Sequence, residues 1–137
     1  MLYSSAQAAK DQLLADLSVV RDKLAKGWNV GWGDGEETFC IMAAINTTVG
    51  LETTCTWQPA DVSAPEGLRQ GRLVLAVYRT LYGPKADLSV TMASAASKII
   101  QFNDRDATNE AVTLLFDRAI TNLQSGALDA PAEGDLA

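Results

Sequence analysis

Residues 93–123, ASAASKIIQFNDRDATNEAVTLLFDRAITNL, contain two apolar helical patterns that meet at a short polar segment. The second half of this stretch repeats apolar residues at helical spacing, which predicts an amphipathic helix with one buried face. These apolar residues are Val112, Leu115, Phe116, Ala119, Ile120 and Leu123. Thr108 is placed to cap the start of this helix and Gly126 to end it.

The first half of the stretch predicts a second helix, in which small residues allow a neighbouring helix to approach closely. Between the two halves lie Asn103, Asp104 and Asp106, whose side chains bond their own backbone in turns. We therefore predict a helical hairpin with a polar hinge at residues 103–108.

The segment FNDRDATNEAVTLLFDRAI (residues 102–120) resembles the closing motif of DUF6197, a family of short bacterial and phage proteins. Gly27–Trp28 and the segment CIMAA (residues 40–44) are similar to the family's Trp near the end of helix one and its Cys opening an apolar helix. Phe102 stands where members usually have Trp, and Asn29 where many have Cys. The resemblance implies a mainly helical single domain. It implies no activity, because the family's function is unknown.

Helix signals recur along the rest of the chain, and the length of 137 residues is typical of one domain. The further predicted helices run from Ser4 or Ser5 to Lys26, from Phe39 (capped by Thr38) to Val49, from Pro65 to Gly83, and from a cap at Asp87 or Ser89 into the hinge. The predicted fold is all-α: a single-domain bundle of about five helices over residues 1–125, with a Gly- and Trp-rich loop and an irregular central loop. Residues 126–137 are predicted to form a flexible acidic tail.

The charge balance is acidic, with a net charge of −6 and a pI near 4.5. Nucleic-acid binding through phosphates needs clustered Lys and Arg, so we expect no nucleic-acid partner. No apolar run reaches the roughly 18 residues that a membrane span needs, and the first ten residues do not read as a leader. We expect a cytoplasmic protein without a membrane partner, in which Cys40 and Cys55 are free thiols.

The absence of histidine narrows the possible chemistry. It removes Ser-His-Asp and Cys-His catalysis, and two cysteines without CxxC spacing do not form a thiolate zinc site. We predict no metal site and no cofactor, and we lean towards a non-enzymatic protein. Carboxylate chemistry remains open to an enzyme, with candidates in the glycine-rich loop and in the hinge.

The segment 27–37, GWNVGWGDGEE, combines four glycines with two tryptophans. Its glycines favour tight turns, and it contains no dinucleotide-binding or phosphate-loop motif. Trp28 and Trp32 either fill a gap in the core or form an adhesive surface together with Asp34. The first hypothesis for function is therefore binding to a protein partner or self-association through Trp28, Trp32 and Asp34, as a bacterial or phage accessory or host-interaction protein.

The second hypothesis is a carboxylate-based enzyme, with or without a need for Mg²⁺, or a binder of a small anionic ligand. Arg69, Arg72 and Arg79 form the single basic cluster of the sequence. Guanidinium groups bind anions in a bidentate manner. Together with Asn103 and Asp104 of the hinge, these arginines are the candidate ligand-binding residues. The alternative interpretation is that the arginines form a solvated face and that the hinge only turns the chain.

Overall fold

The computed structural model describes residues 6–28, 39–51, 64–83 and 91–131 of the chain. In these ranges the chain forms five α-helices and one π-helix, and no strand. The elements are α1 (Ala6–Gly27), α2 (Ile41–Thr48), α3 (Pro65–Tyr82), α4 (Met92–Gln101), the π-helix (Phe102–Asp106) and α5 (Asn109–Ser125). The predicted all-α single-domain bundle of five helices is confirmed.

The ends of α3 and α5 follow the sequence signals. The Thr108 hydroxyl accepts a hydrogen bond from the Ala111 N–H at 3.1 Å, which satisfies one of the free donors of the first turn. At the other end of α5, Gly126 has a φ of +82°, in the left-handed region that favours glycine. Pro65 begins α3, where its missing N–H costs nothing.

The caps of α2 and α4 differ from the prediction. The N-cap of α2 is Cys40, whose Sγ accepts a hydrogen bond from the Ala43 N–H at 3.3 Å, whereas Thr38 lies outside the described residues. The N-cap of α4 is Thr91, whose hydroxyl accepts from the Ser94 N–H at 3.1 Å, whereas the predicted caps Asp87 and Ser89 lie outside the described residues. Thr91 suits this position because its hydroxyl reaches the Ser94 N–H, which has no partner within the first turn of the helix.

The buried core contains α2 at its centre. Six of the eight α2 residues are buried: Ile41, Met42, Ala43, Ala44, Ile45 and Asn46. The amide of Asn46 accepts a hydrogen bond from the Gln70 amide at 2.9 Å, and both side chains are buried. A polar group inside an apolar core is tolerated when a partner of this kind satisfies it.

The expected hairpin of α4 against α5 does not form. α5 packs chiefly against α1, and α4 packs chiefly against α3. The reason lies in the connection: the π-helix prolongs α4, and Ala107 and Thr108 are extended before α5 begins. The hinge therefore carries the chain from one helix layer to another instead of folding it back on itself.

The segment after α5 is placed against the core for at least part of its length. The Leu128 N–H donates to the Asn122 carbonyl at 2.9 Å, and the Leu128 side chain is buried. Pro131 is also buried. The flexible acidic tail over residues 126–137 stays a prediction, because residues 132–137 lie outside the described residues.

None of the helices in the described ranges is long and apolar enough to cross a membrane.

Candidate functional site

Asn103 is the polar centre of the hinge and is 2% exposed. Its Oδ1 accepts the Trp28 indole N–H at 2.9 Å and the Ile41 backbone N–H at 3.0 Å. Its Nδ2 donates to Asp104 Oδ1 at 3.0 Å. One amide therefore joins the end of α1, the first residue of α2 and the π-helix, and its geometry is that of a structural connection.

The π-helix explains why this amide faces inward. A π-helix inserts an extra residue into the helical hydrogen-bond pattern and so changes the direction of the side chains that follow. Its closing bond runs from the Ala107 N–H to the Phe102 carbonyl at 2.9 Å. Such segments are frequent at functional sites. Here Asn103 is buried, whereas Asp104, Arg105 and Asp106 are exposed.

A cavity of about 10 Å³ adjoins Asn103. It is lined by Cys40, Met42, Ile100, Asn103 and Asp104. A volume of roughly 10–15 Å³ holds a single water molecule. The cavity beside the hinge is therefore too small for a substrate or an organic ligand.

Cys40 is disulfide-bonded, so the prediction of a free thiol is wrong for this residue. Cys55, the other cysteine of the chain, lies outside the described residues. Composition alone did not reveal the pairing, because two cysteines are equally compatible with thiols and with a disulfide.

The helix-three arginines have internal partners. Arg69 donates to Asp16 of α1 through Nε at 3.0 Å and Nη2 at 2.7 Å, which is a bidentate ion pair. Arg72 is 5% exposed, and its Nε donates to the Pro131 carbonyl at 2.8 Å. Arg79 is half-buried in the last turn of α3. A solvated arginine face is therefore not what the structure shows, because Arg72 is buried.

Of the predicted interaction residues, Trp28 belongs to the interior. It is partly buried, packs against the core, and uses its indole N–H for Asn103. The adjoining Gly27 carbonyl accepts the Phe39 N–H at 2.6 Å, and Trp28 and Phe39 form an isolated parallel bridge. Trp32 and Asp34 lie outside the described residues, so their predicted role in binding stays a prediction.

Lys23 is a second polar centre, next to the C-terminal end of α2. Its Nζ donates to the Thr47 hydroxyl at 3.2 Å and to the Thr48 hydroxyl at 3.0 Å, and it lies 5.7 Å from the Phe39 ring centre. Burial lowers the pKa of the Lys23 ammonium from its usual 10.5. The sequence carries no local signal that marks Lys23 as a polar centre.

An open groove lies on the outer side of α5. Its volume is about 430 Å³. It is lined by Asn109, Glu110, Thr113, Leu114 and Asp117. Leu114 is 48% exposed, and Asp117 accepts a hydrogen bond from Arg21 of α1 at 3.2 Å. Leu114 was missed, although it is apolar and stands outside the buried stripe of its own helix.

Potential metal ligands do not converge in the described ranges, where no group of three or more Cys, Asp or Glu side chains could hold an ion.

The chain is an all-α protein. In the described residues it has a buried amide at the hinge and an open surface on its last helix. A family model matches residues 8–122, and the chain belongs to that family, a family of unknown function designated DUF6197. This confirms the resemblance that the closing motif indicated. No curated protein and no solved structure matches the chain.

Proposed function

We propose that the chain is a non-enzymatic protein that acts by binding another protein, a second copy of itself included. The observation that carries the proposal is the exposed Leu114 beside the groove of about 430 Å³ on α5. An apolar side chain that is half exposed at a depression is the kind of anchor that protein interfaces bury.

The side chains that were candidates for catalysis or ligand binding bond other residues of the fold, which supports the same proposal. Asn103 satisfies three hydrogen bonds inside the fold, and the guanidinium of Arg69 is held by Asp16. Binding of an anion by Arg69 would compete with a buried carboxylate, which is costly to leave without its partner. These contacts favour the binding hypothesis over the carboxylate enzyme or anionic-ligand binder.

The predicted contact through Trp32 and Asp34 remains part of the proposal. An accessory or host-interaction role in a bacterium or phage also remains part of the proposal. It rests only on the resemblance of the sequence motifs to the family, because fold does not imply function.

A cytoplasmic location is also part of the proposal, and the Cys40 disulfide weighs against it, because a reducing cytosol keeps thiols reduced. Acid quenching of the cells, denaturation of the chain and alkylation, followed by mass spectrometry, decides the point. A Cys40 that is alkylated only after addition of a reductant would contradict the cytoplasmic location.

The proposal is tested by capture and cross-linking of partners from native extracts on the immobilised chain. Four chains are compared: wild type, Leu114→Ser, Trp32→Ala and the control Val19→Ser. Val19 is matched to Leu114, since it is an apolar helical residue that is 45% exposed. We expect a stoichiometric partner that is lost with Leu114→Ser or Trp32→Ala and retained with Val19→Ser. Equal recovery by all four chains, or no partner and no self-association, overturns the proposal.

The enzyme or ligand-binder hypothesis has its own test. Magnesium, manganese, nucleotides and phosphosugars are added singly, and the melting temperature is recorded. A ligand that binds the native chain raises this temperature, because binding stabilises only the folded state. We expect no change, and a saturable increase would favour the alternative.

A further inference from the structure

Three exposed residues form a ridge along the outer side of α5. They are Glu110, Leu114 and Arg118, at positions i, i+4 and i+8. Side chains with this spacing lie one above the other on the same helix face. The ridge therefore has an acidic end, an apolar centre and a basic end.

The charges of the ridge have no partners in the part of the chain that the structure describes. Glu110 and Arg118 make neither a hydrogen bond nor an ion pair with any residue of the described ranges. Asp117, which lies beside them, differs in this respect because Arg21 binds it. The two ends of the ridge are thus available to an incoming surface.

The groove on α5 follows the ridge. On one side lie Glu110 and Leu114, and on the other lie Asn109, Thr113 and Asp117, which form the neighbouring row at the same spacing of four. When two helices pack in the commonest way, such a row of one helix fits into the groove between two rows of the other. The shape of α5 therefore suits a second helix with a similar ridge.

We propose that the occupant is α5 of a second copy of this chain, packed antiparallel about a twofold axis that passes between the two Leu114 side chains. This inference rests on the proposed function, of which it specifies the partner. Leu114 then meets Leu114 of the second copy, and Glu110 of each copy meets Arg118 of the other. A twofold contact requires such a self-complementary surface.

The order of charges selects this arrangement. In a parallel contact each Glu110 would face another Glu110, and each Arg118 another Arg118, so the charges would repel. Because Leu114 is the one large apolar residue of the ridge, the contact is small, and small interfaces are weak and transient. The dimer is thus expected to form in a concentration-dependent manner and to weaken as salt screens the exposed charges.

The test is sedimentation over a concentration series at low ionic strength with charge-swap variants. Glu110→Arg and Arg118→Glu each place like charges at both ends of the contact. We expect each variant alone to dimerise at least about tenfold more weakly than the wild type, which corresponds to roughly 1.4 kcal/mol. In a mixture of the two variants every facing pair is opposite in charge again, so we expect a heterodimer.

Glu66→Arg is the matched control, because Glu66 is also an exposed glutamate in the first turn of a helix. It changes the net charge by the same amount as Glu110→Arg does, and it removes the same kind of favourable interaction between a glutamate and a helix N-terminus. We expect it to dimerise like the wild type. We also expect its mixture with Arg118→Glu to form less heterodimer than the mixture of the two swap variants.

A folding defect does not mimic these results, since a misfolded variant would not regain dimerisation on mixing. A wild type that stays monomeric throughout the series overturns the inference. So does a dimer that both swap variants leave unchanged. The proposed function then stands or falls separately, by the capture of a different protein from native extracts.

Discussion

The side-chain oxygen of Asn103 lies 2.9 Å from the indole nitrogen of Trp28, although 75 residues separate them in the chain. The same oxygen accepts the N–H of Ile41 at the start of α2. A single buried amide thereby joins the three regions that carry the family resemblance: the Trp after helix one, the start of the apolar helix and the Asn of the closing motif. The resemblance thus corresponds to one spatial contact.

Replacement of this amide tests its structural role. We expect Asn103→Ala to lower the free energy of unfolding by about 2–4 kcal/mol, because it leaves the buried Ile41 N–H and the partly buried Trp28 N–H without an acceptor. Denaturant unfolding measures the loss, and Gln101→Ala, at an exposed helical position nearby, is the control. A loss below that of the control variant would show that water replaces the amide at no cost.

The hinge shows what the sequence predicts and what it leaves open. The stripe of α5 and its cap at Thr108 are local signals, and the structure follows both. The partner of α5 is not a local property: its apolar stripe does not specify which helix it packs against, and in the structure this is chiefly α1. The polar residues of the hinge predict a turn. In the structure, Asn103 is buried and its side chain bonds Trp28 and Ile41 instead of its own backbone.

The environment of Trp28 leads to a fluorescence prediction. In a variant with Trp32→Phe and Trp57→Phe, Trp28 is the single emitter, and we expect acrylamide to quench it less than free indole, since its ring is partly buried. Addition of Asn103→Ala should increase the quenching, because the ring then loses its hydrogen bond. Quenching equal to that of free indole would place Trp28 on the surface.

The pair of Asp16 and Arg69 shows why the candidate anion site was difficult to predict. In the sequence the arginine belongs to a basic cluster, and nothing marks an acidic residue 53 positions earlier as its partner. Asp16 lies within the apolar spacing of α1 and is buried, and Gln12 also donates to it at 3.0 Å. An acidic residue in a buried stripe is the signal that would have indicated a cationic partner.

A double-mutant cycle on this pair gives the third prediction. We expect Arg69→Leu to destabilise the fold by about 3–5 kcal/mol, because it strands the buried carboxylate of Asp16. The double variant Asp16→Leu/Arg69→Leu should be less destabilised than Arg69→Leu alone, since the carboxylate is then gone. Thermal or denaturant unfolding of the four chains measures the coupling. Additive losses would mean that the ion pair contributes nothing to stability.

The pKa of Lys23 gives the last prediction, a dependence of stability on pH. Because burial lowers this pKa from 10.5, the native state penalises the charged ammonium. Below the native pKa both states are protonated and the penalty is complete. As the pH rises from the native pKa towards 10.5, the native chain releases its proton before the unfolded chain does, and the penalty disappears.

The unfolding free energy of the wild type should therefore increase with pH relative to that of Lys23→Gln. The exposed Lys26 supplies the control, because Lys26→Gln retains Lys23 and should show the same increase as the wild type relative to Lys23→Gln. Denaturant unfolding of the three chains at several pH values between 7 and 10.5 measures the effect, and a constant difference between wild type and Lys23→Gln would contradict it.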